Sequence, residues 1–149
     1  MYTLEKEQLV TASLEECWSF LNNPENLNLI TPPDLHFLII SPVPDDMFDG
    51  LMIEYRISIP LFGAQRWLAE IKHIRPQKSF VDEQRIGPYT FWYHYHELTA
   101  TPEGVALIDR VHYSVPYGIF GRLLHVMFIK KTLQRIFAYR QAKITEILG

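Results

Sequence analysis

Phe80-Val81-Asp82-Glu83-Gln84-Arg85-Ile86-Gly87-Pro88-Tyr89-Thr90-Phe91-Trp92-Tyr93-His94-Tyr95-His96-Glu97-Leu98 holds two runs of residues around a Gly-Pro-Tyr break. Extended segments show side chains to alternate faces, and a Gly-Pro pair turns the chain. The stretch therefore predicts two antiparallel strands, Phe80 to Arg85 and Thr90 to Leu98, joined at Gly87-Pro88-Tyr89. A three-residue loop sets Asp82 opposite His94 and Gln84 opposite Trp92.

The pattern extends in both directions. Downstream, Thr101-Pro102-Glu103-Gly104 turns into a last strand, Val105 to Val115, with His96 opposite Asp109, His94 opposite Val111 and Trp92 opposite Tyr113. Upstream, the turn Arg75-Pro76-Gln77 pairs Ile71 with Asp82 and Ala69 with Gln84. Leu51 to Ile59 alternates too, and Ile53, Tyr55 and Ile57 are expected against Ile71, Ala69 and Trp67. Leu35 to Ile40 reads as an apolar strand and Tyr2 to Val10 as an edge strand. Between them, Ser13-Leu14-Glu15-Glu16 is a capping box that starts a short helix, because serine and glutamate side chains satisfy the free amides there. Asn23-Pro24 starts a second helix, which Thr31-Pro32-Pro33 ends. From about Tyr117 to Leu148 there is no proline. Phe120, Leu123, Leu124, Met127, Ile136, Phe137, Ile144 and Ile147 fall mostly at helical steps, giving one long amphipathic helix with room for a bend. Its Lys130, Lys131, Arg135, Arg140 and Lys143 are expected on a solvated face.

Composition sets the class. The 149 residues are 48% hydrophobic and 13% aromatic, enough for a core and for a pocket lining. A net charge of −3 argues against a nucleic-acid partner held by overall charge. The single cysteine, Cys17, allows no internal disulfide. No run of 18 apolar residues offers a transmembrane segment, and the first residues lack a signal-peptide plan, so a cytoplasmic protein is expected. No repeat appears, and residues 1–149 are expected to form one domain.

The order of strand, two short helices, about six further antiparallel strands and a long C-terminal helix resembles the START-like (SRPBCC) superfamily, the helix-grip fold. The residues that carry the resemblance are Asp82-x-Gln84, Gly87-Pro88-Tyr89, Trp92-x-His94-x-His96, and Asp109-x-Val111-x-Tyr113 followed by Pro116. This looks like a bacterial ligand-binding subgroup. The resemblance implies an α+β fold in which a curved antiparallel sheet of about six to seven strands wraps the terminal helix around a cavity. It also implies binding of a lipid-like, polyketide-like or otherwise apolar molecule, or catalysis of the cyclase, dehydratase or hydrolase kind.

Register and resemblance together place Ile53, Tyr55, Ile57, Trp67, Ile71, Asp82, Gln84, Trp92, His94, His96, Asp109, Val111 and Tyr113 on the inner face. The outer face takes Glu54, Arg56, Glu70, Lys72, Glu83, Arg85 and Arg110, with Phe91, Tyr93 and Tyr95 as a candidate homodimer patch. Two acid–imidazole pairs result, Asp82 with His94 and Asp109 with His96. Such pairs serve as satisfied polar lining, as general bases oriented by a carboxylate, or as metal ligands. The expected ligand contacts are Tyr55, Trp67, Gln84, Trp92, His94, His96 and Tyr113 from the sheet, and Phe120, Leu124, Met127 and Phe137 from the helix. Asp82, Asp109, His94 and His96 are the catalytic set if the chain is an enzyme. Neither a cofactor nor a bound metal is expected. The predicted function is to carry or sense a small, mostly apolar or amphipathic ligand.

Overall fold

The computed structural model describes residues 1–149. Its centre is one antiparallel sheet of seven strands in the order β1-β7-β6-β5-β4-β3-β2. The strands are β1 (Tyr2–Val10), β2 (Leu38–Ile39), β3 (Met52–Ile59), β4 (Gly63–Arg75), β5 (Ser79–Ile86), β6 (Phe91–Thr101) and β7 (Gly104–Ser114). Helices α1 (Leu14–Asn22) and α2 (Leu27–Ile30) follow β1. The chain closes with α3 (Gly118–Leu124), a π-helical segment His125–Ile129, and α4 (Lys130–Leu148).

Local chemistry accounts for these boundaries. Ser13 Oγ accepts from the Glu16 amide at 3.2 Å, and the Ser13 amide donates back to Glu16 Oε2 at 2.8 Å, which completes the capping box. Asn23 Oδ1 accepts from the Glu25 amide at 3.1 Å and opens the turn Pro24–Asn26 that leads into α2. The expected strand Leu35 to Ile40 is cut to two residues. Pro33–Leu35 forms a 3-10 turn and His36 takes a left-handed conformation (φ 47°), so only Leu38 and Ile39 reach Arg56 and Tyr55.

Registers across β5, β6 and β7 follow the sequence reading: Asp82 opposes His94, His96 opposes Asp109, and Trp92 opposes Tyr113. The β3–β4 hairpin differs. Ile53, Tyr55 and Ile57 oppose Ala69, Trp67 and Gln65, two residues from the expected partners. The connection is tighter than expected because Leu61 (φ 74°) and Gly63 (φ 71°) both adopt left-handed backbone. An even shift leaves every side chain on its original face. Irregularities at Leu68/Ala69 and at Lys72/Arg75 add bends to β4, and bulges of this kind increase local twist and curve a sheet.

The inner face of the curve packs on α4. Trp67, Ala69, Trp92, Val111 and Tyr113 meet Ile129, Leu133 and Phe137. At the other end, Val10, Leu98, Val105 and Leu107 meet Cys17, Ile30 and Ile144. The burial of Trp92, His94, His96 and Leu98 alternates with half-exposed Phe91, Tyr93, Tyr95 and Glu97 along β6, so the tryptophan and both imidazoles face the terminal helix.

The long helix is continuous but not regular. Its π turn swings His125 inward, where its ring stacks on Tyr2 (3.5 Å between centroids) and its Nε2 lies 2.7 Å from the Tyr113 hydroxyl. Burial, then Lys130 and the N-terminal amine, lowers the His125 pKa, while burial and then Tyr2 push the Tyr113 phenol up to about 12. The helix enters over Gly121, where a Cβ would stand 1.8 Å from the Pro116 carbonyl oxygen. Gly121→Ala is therefore expected to push α3 away from the Val115–Pro116 link and to lower stability by about 1–3 kcal/mol, measured by chemical denaturation. An unchanged midpoint would contradict this close approach.

Candidate functional site

Two imidazoles and two carboxylates meet on the inner face of β5, β6 and β7, but their bonds cross the expected pairing. His94 Nε2 donates to Asp109 Oδ1 at 2.8 Å, and His96 Nε2 donates to Asp82 Oδ2 at 2.5 Å. The residues directly opposite on the backbone make the longer contacts: His94 Nδ1 to Asp82 Oδ2 is 3.4 Å, and His96 Nδ1 to Asp109 Oδ1 is 3.1 Å. The crossed bonding has a geometric cause. His94 and His96 are two residues apart on one strand, and their rings stack 3.7 Å apart, so each ring reaches the diagonal carboxylate in better line. His96 Nδ1 is left buried without a hydrogen-bond partner.

The rings are held by aromatic neighbours. Phe80 stacks on His96 at 4.2 Å, while Phe137 of α4 lies 5.5 Å from His94 and Trp92 meets it edge-on. Arg140, also on α4, closes the group. Its Nε and Nη2 approach the two oxygens of Asp109 at 3.4 Å each, and both side chains are buried. This corrects the expectation that Arg140 lies on the solvated face. Its step of three from Phe137 and four to Ile144 is the signal that it shares the buried face.

Electrostatics separates the groups. Burial alone would raise both carboxylates. For Asp109, the Arg140 charge, the bond from His94 and the close approach of His96 outweigh it and hold the carboxyl well below the usual range. Asp82 is also lowered, by His94 and His96 against burial. Burial works against protonation of both rings. In His94 it prevails, helped by the charge on His96, and the pKa falls; in His96 the close contacts with Asp109 and Asp82 prevail, and it rises. His94 is thus the neutral ring with its proton on Nε2, and His96 is the ring that keeps a second proton to higher pH. With His96 protonated, one imidazolium and one guanidinium balance two carboxylates.

Beside this group lies a cavity of about 170 Å³, walled by the sheet, by α1, α2 and their connection, and by α4. Tyr55, Trp67, Asp82, Trp92, His94, His96 and Phe137 line it, as expected from sequence. So do Ile53, Ala69 and Ile71 of the sheet and Arg140, Leu133 and Ile136 of α4. Phe20, Leu27 and Leu35 add a wall from the helical connection that strand patterning could not foresee.

Five expected ligand contacts stand elsewhere. Gln84 clamps its own turn, with Nε2 donating to the Tyr89 carbonyl at 2.7 Å and Oε1 accepting from the Tyr89 amide at 3.1 Å. Tyr113 is bonded to His125. Leu124 packs against the Trp92–Phe137 cluster outside the cavity wall. Phe120 and Met127 are exposed, because the helix presents Gly121, His125 and Ile129 inward over that stretch and reaches the cavity only from Thr132 onward. Asp109 sits behind the imidazoles, off the cavity wall. Of the acidic pair, Asp82 keeps a carboxylate partly open, at 21% side-chain exposure.

Asp82, His94 and His96 bring one ligand atom each within 4.8 Å of one another, a spacing that could hold a metal ion. The Arg140 guanidinium against neighbouring Asp109 opposes a divalent cation there. Cys17, the lone thiol, is buried and its pKa is raised by burial and then by Glu16, a structural rather than a nucleophilic setting. Phe91, Tyr93 and Tyr95 lie half-buried on the outer face; Lys72 lies over the Tyr93 ring and Arg110 over that of Tyr95.

Removing one partner of the buried ion pair leaves the other charge buried and unanswered. Arg140→Met alone or Asp109→Asn alone is expected to destabilise by about 3–5 kcal/mol, and the double variant by less than the sum, read by denaturation of all three. Additive losses would rule out the coupling. A second expectation concerns pH. His96 stabilises the fold fully below about pH 6.5 and loses that contribution as pH rises through its raised value. His94 acts in the opposite sense, losing stability as pH falls below about 6.5, and Asp82 and Asp109 do so below about 4. Imidazole NMR titration should place one of the two rings above about 6.5 and the other below it; coincident titrations would contradict the assignment.

No family model and no curated protein matches the chain. Solved structures do match. A START superfamily protein from Mycobacterium smegmatis superposes with a TM-score of 0.72 at 14% identity, over 100% of both chains. TTHA0849 from Thermus thermophilus gives 0.68 at 14% identity, over 99% of this chain and 100% of that one. A nucleoside-diphosphate sugar epimerase from Corynebacterium glutamicum gives 0.68 at 20% identity, over 96% of this chain but 28% of its own length. At these identities the likeness is one of fold. With seven antiparallel strands curved around a C-terminal helix, the chain has the START-like, helix-grip fold.

Proposed function

We propose that the protein binds a small apolar molecule bearing a hydroxyl or carbonyl group in the cavity between sheet and α4. The observation that carries this reading is an apolar cavity lined by Trp67, whose buried indole donor has no partner, and by Asp82, whose carboxylate is bonded to His96 yet partly open. Buried donors are ordinarily satisfied, so Trp67 suits an acceptor on a bound molecule. Asp82 suits a donor.

Size narrows the class. A cavity of about 150 Å³ accepts a benzene ring, and the volume here is close to that, about 170 Å³. A single-ring phenol or a short branched alcohol matches this volume, and a large polyketide or a long acyl chain exceeds it. The near-neutral balance of the Asp–His–Arg group favours an uncharged polar end over an anion. Members of the START-like superfamily that the sequence resembles bind apolar molecules, which agrees with this reading. Self-association through the Phe91, Tyr93 and Tyr95 ladder is a separate proposal, which light scattering checks.

Titration with 4-methylphenol followed by ¹H–¹⁵N NMR tests the binding reading. The Trp67 indole N–H signal is expected to shift and saturate. Trp67→Phe should weaken binding by about tenfold, the loss of roughly one hydrogen bond, and Ala69→Leu, which fills the cavity, should abolish it. A titration that leaves the Trp67 signal in place, or an Ala69→Leu protein that binds as wild type, would overturn the assignment.

A further inference from the structure

We propose that α3 and the π-helical segment form a docking face for an anionic lipid surface. From Ile119 to Phe128 the outward side of the helix carries Ile119, Phe120, Leu123, Val126, Met127 and Phe128, which are 41–75% exposed. Monomeric proteins rarely leave an apolar stripe of this extent in water. Gly121, His125, Ile129 and Leu133 occupy the inward side at steps of four, so the stripe is not the edge of a core.

Charge selects the occupant. Between Asp109 and Glu146 there is no acidic residue, while Arg122, Lys130 and Lys131 lie on the exposed side of this helix. The other cations of the run that face Asp or Glu are already answered: Arg135 by Asp34, Arg140 by Asp109 and Lys143 by Glu146. A two-fold contact between copies would bring the same three cations together with nothing acidic on the segment to meet them. An anionic headgroup layer meets them and takes the apolar side chains beneath. Residues 118–131 span about 20 Å of helix, short of the roughly 30 Å needed to cross a bilayer, so the helix lies along the surface.

The β3–β4 turn borders the same face. Its tip, Leu61, is exposed, and its neighbours Pro60 and Phe62 form a crevice with Phe128. That crevice shares Ile59, Tyr89 and Thr132 with the wall of the main cavity. The docking face adjoins the cavity, though the proposal holds whether or not the cavity takes a ligand.

The test is co-sedimentation of the full chain with vesicles of mixed phosphatidylcholine and phosphatidylglycerol, and with phosphatidylcholine alone. The protein should pellet with the anionic vesicles and bind the neutral ones about tenfold less. Phe120→Ser/Leu123→Ser and, separately, Lys130→Glu/Lys131→Glu should each lose most of the binding with melting temperatures near wild type. Wild-type protein that stays in solution with anionic vesicles at low salt would overturn the proposal. So would both variants pelleting as wild type does. A dimer in light scattering that Phe120→Ser/Leu123→Ser dissociates, without vesicle binding, would assign the face to a second copy instead.

Discussion

Asp109 is the point at which sheet and terminal helix are tied together. It lies on β7, accepts from His94 on β6, and faces Arg140 on α4. Removing a carboxylate and a guanidinium from water is costly, and the cost is offset only if each meets its partner in good geometry. The helix must therefore sit at one rotation and one height over the sheet. Asp82 and His96 extend the same constraint to β5. The polar group thus ties α4 to β7 at Asp109 and, through His94 and His96, to β6 and β5.

The same saturation explains why the cavity is mostly apolar. His94 and Arg140 both bond Asp109, and His96 bonds Asp82, so the ionisable side chains of the group turn mainly toward one another. The wall is then finished by Trp67, Trp92, Phe137 and aliphatic residues, with the Asp82 carboxylate as a partly open polar point. Bends in β4 add curvature to the sheet, and α1, α2 and their connection supply the remaining side of the cavity.

Much of this is legible in the residues. Period-two alternation and Pro/Gly turns locate the strands. The hairpins around Asp82, His94, His96 and Asp109 can be read in register because their loops are short and their inner faces distinctive. Less legible is anything that depends on side-chain direction. Asp82 opposes His94 in backbone but bonds His96, a choice made by ring orientation. Phe120 and Met127 repeat at helical steps like core residues, yet face out, because the π turn places His125 inward and apolar periodicity does not say which of two apolar faces is covered. Arg140 reads as surface because arginine usually is; its partner 31 residues away is not visible along the chain.

A crystal structure of the protein grown with 4-methylphenol tests the central claim most directly. The account requires the Trp92, His94 and His96 side chains to face α4, and the phenol to occupy the space beside them with its oxygen at Trp67 Nε1 or Asp82. Imidazoles turned to solvent, or a filled core where the cavity should be, would contradict it.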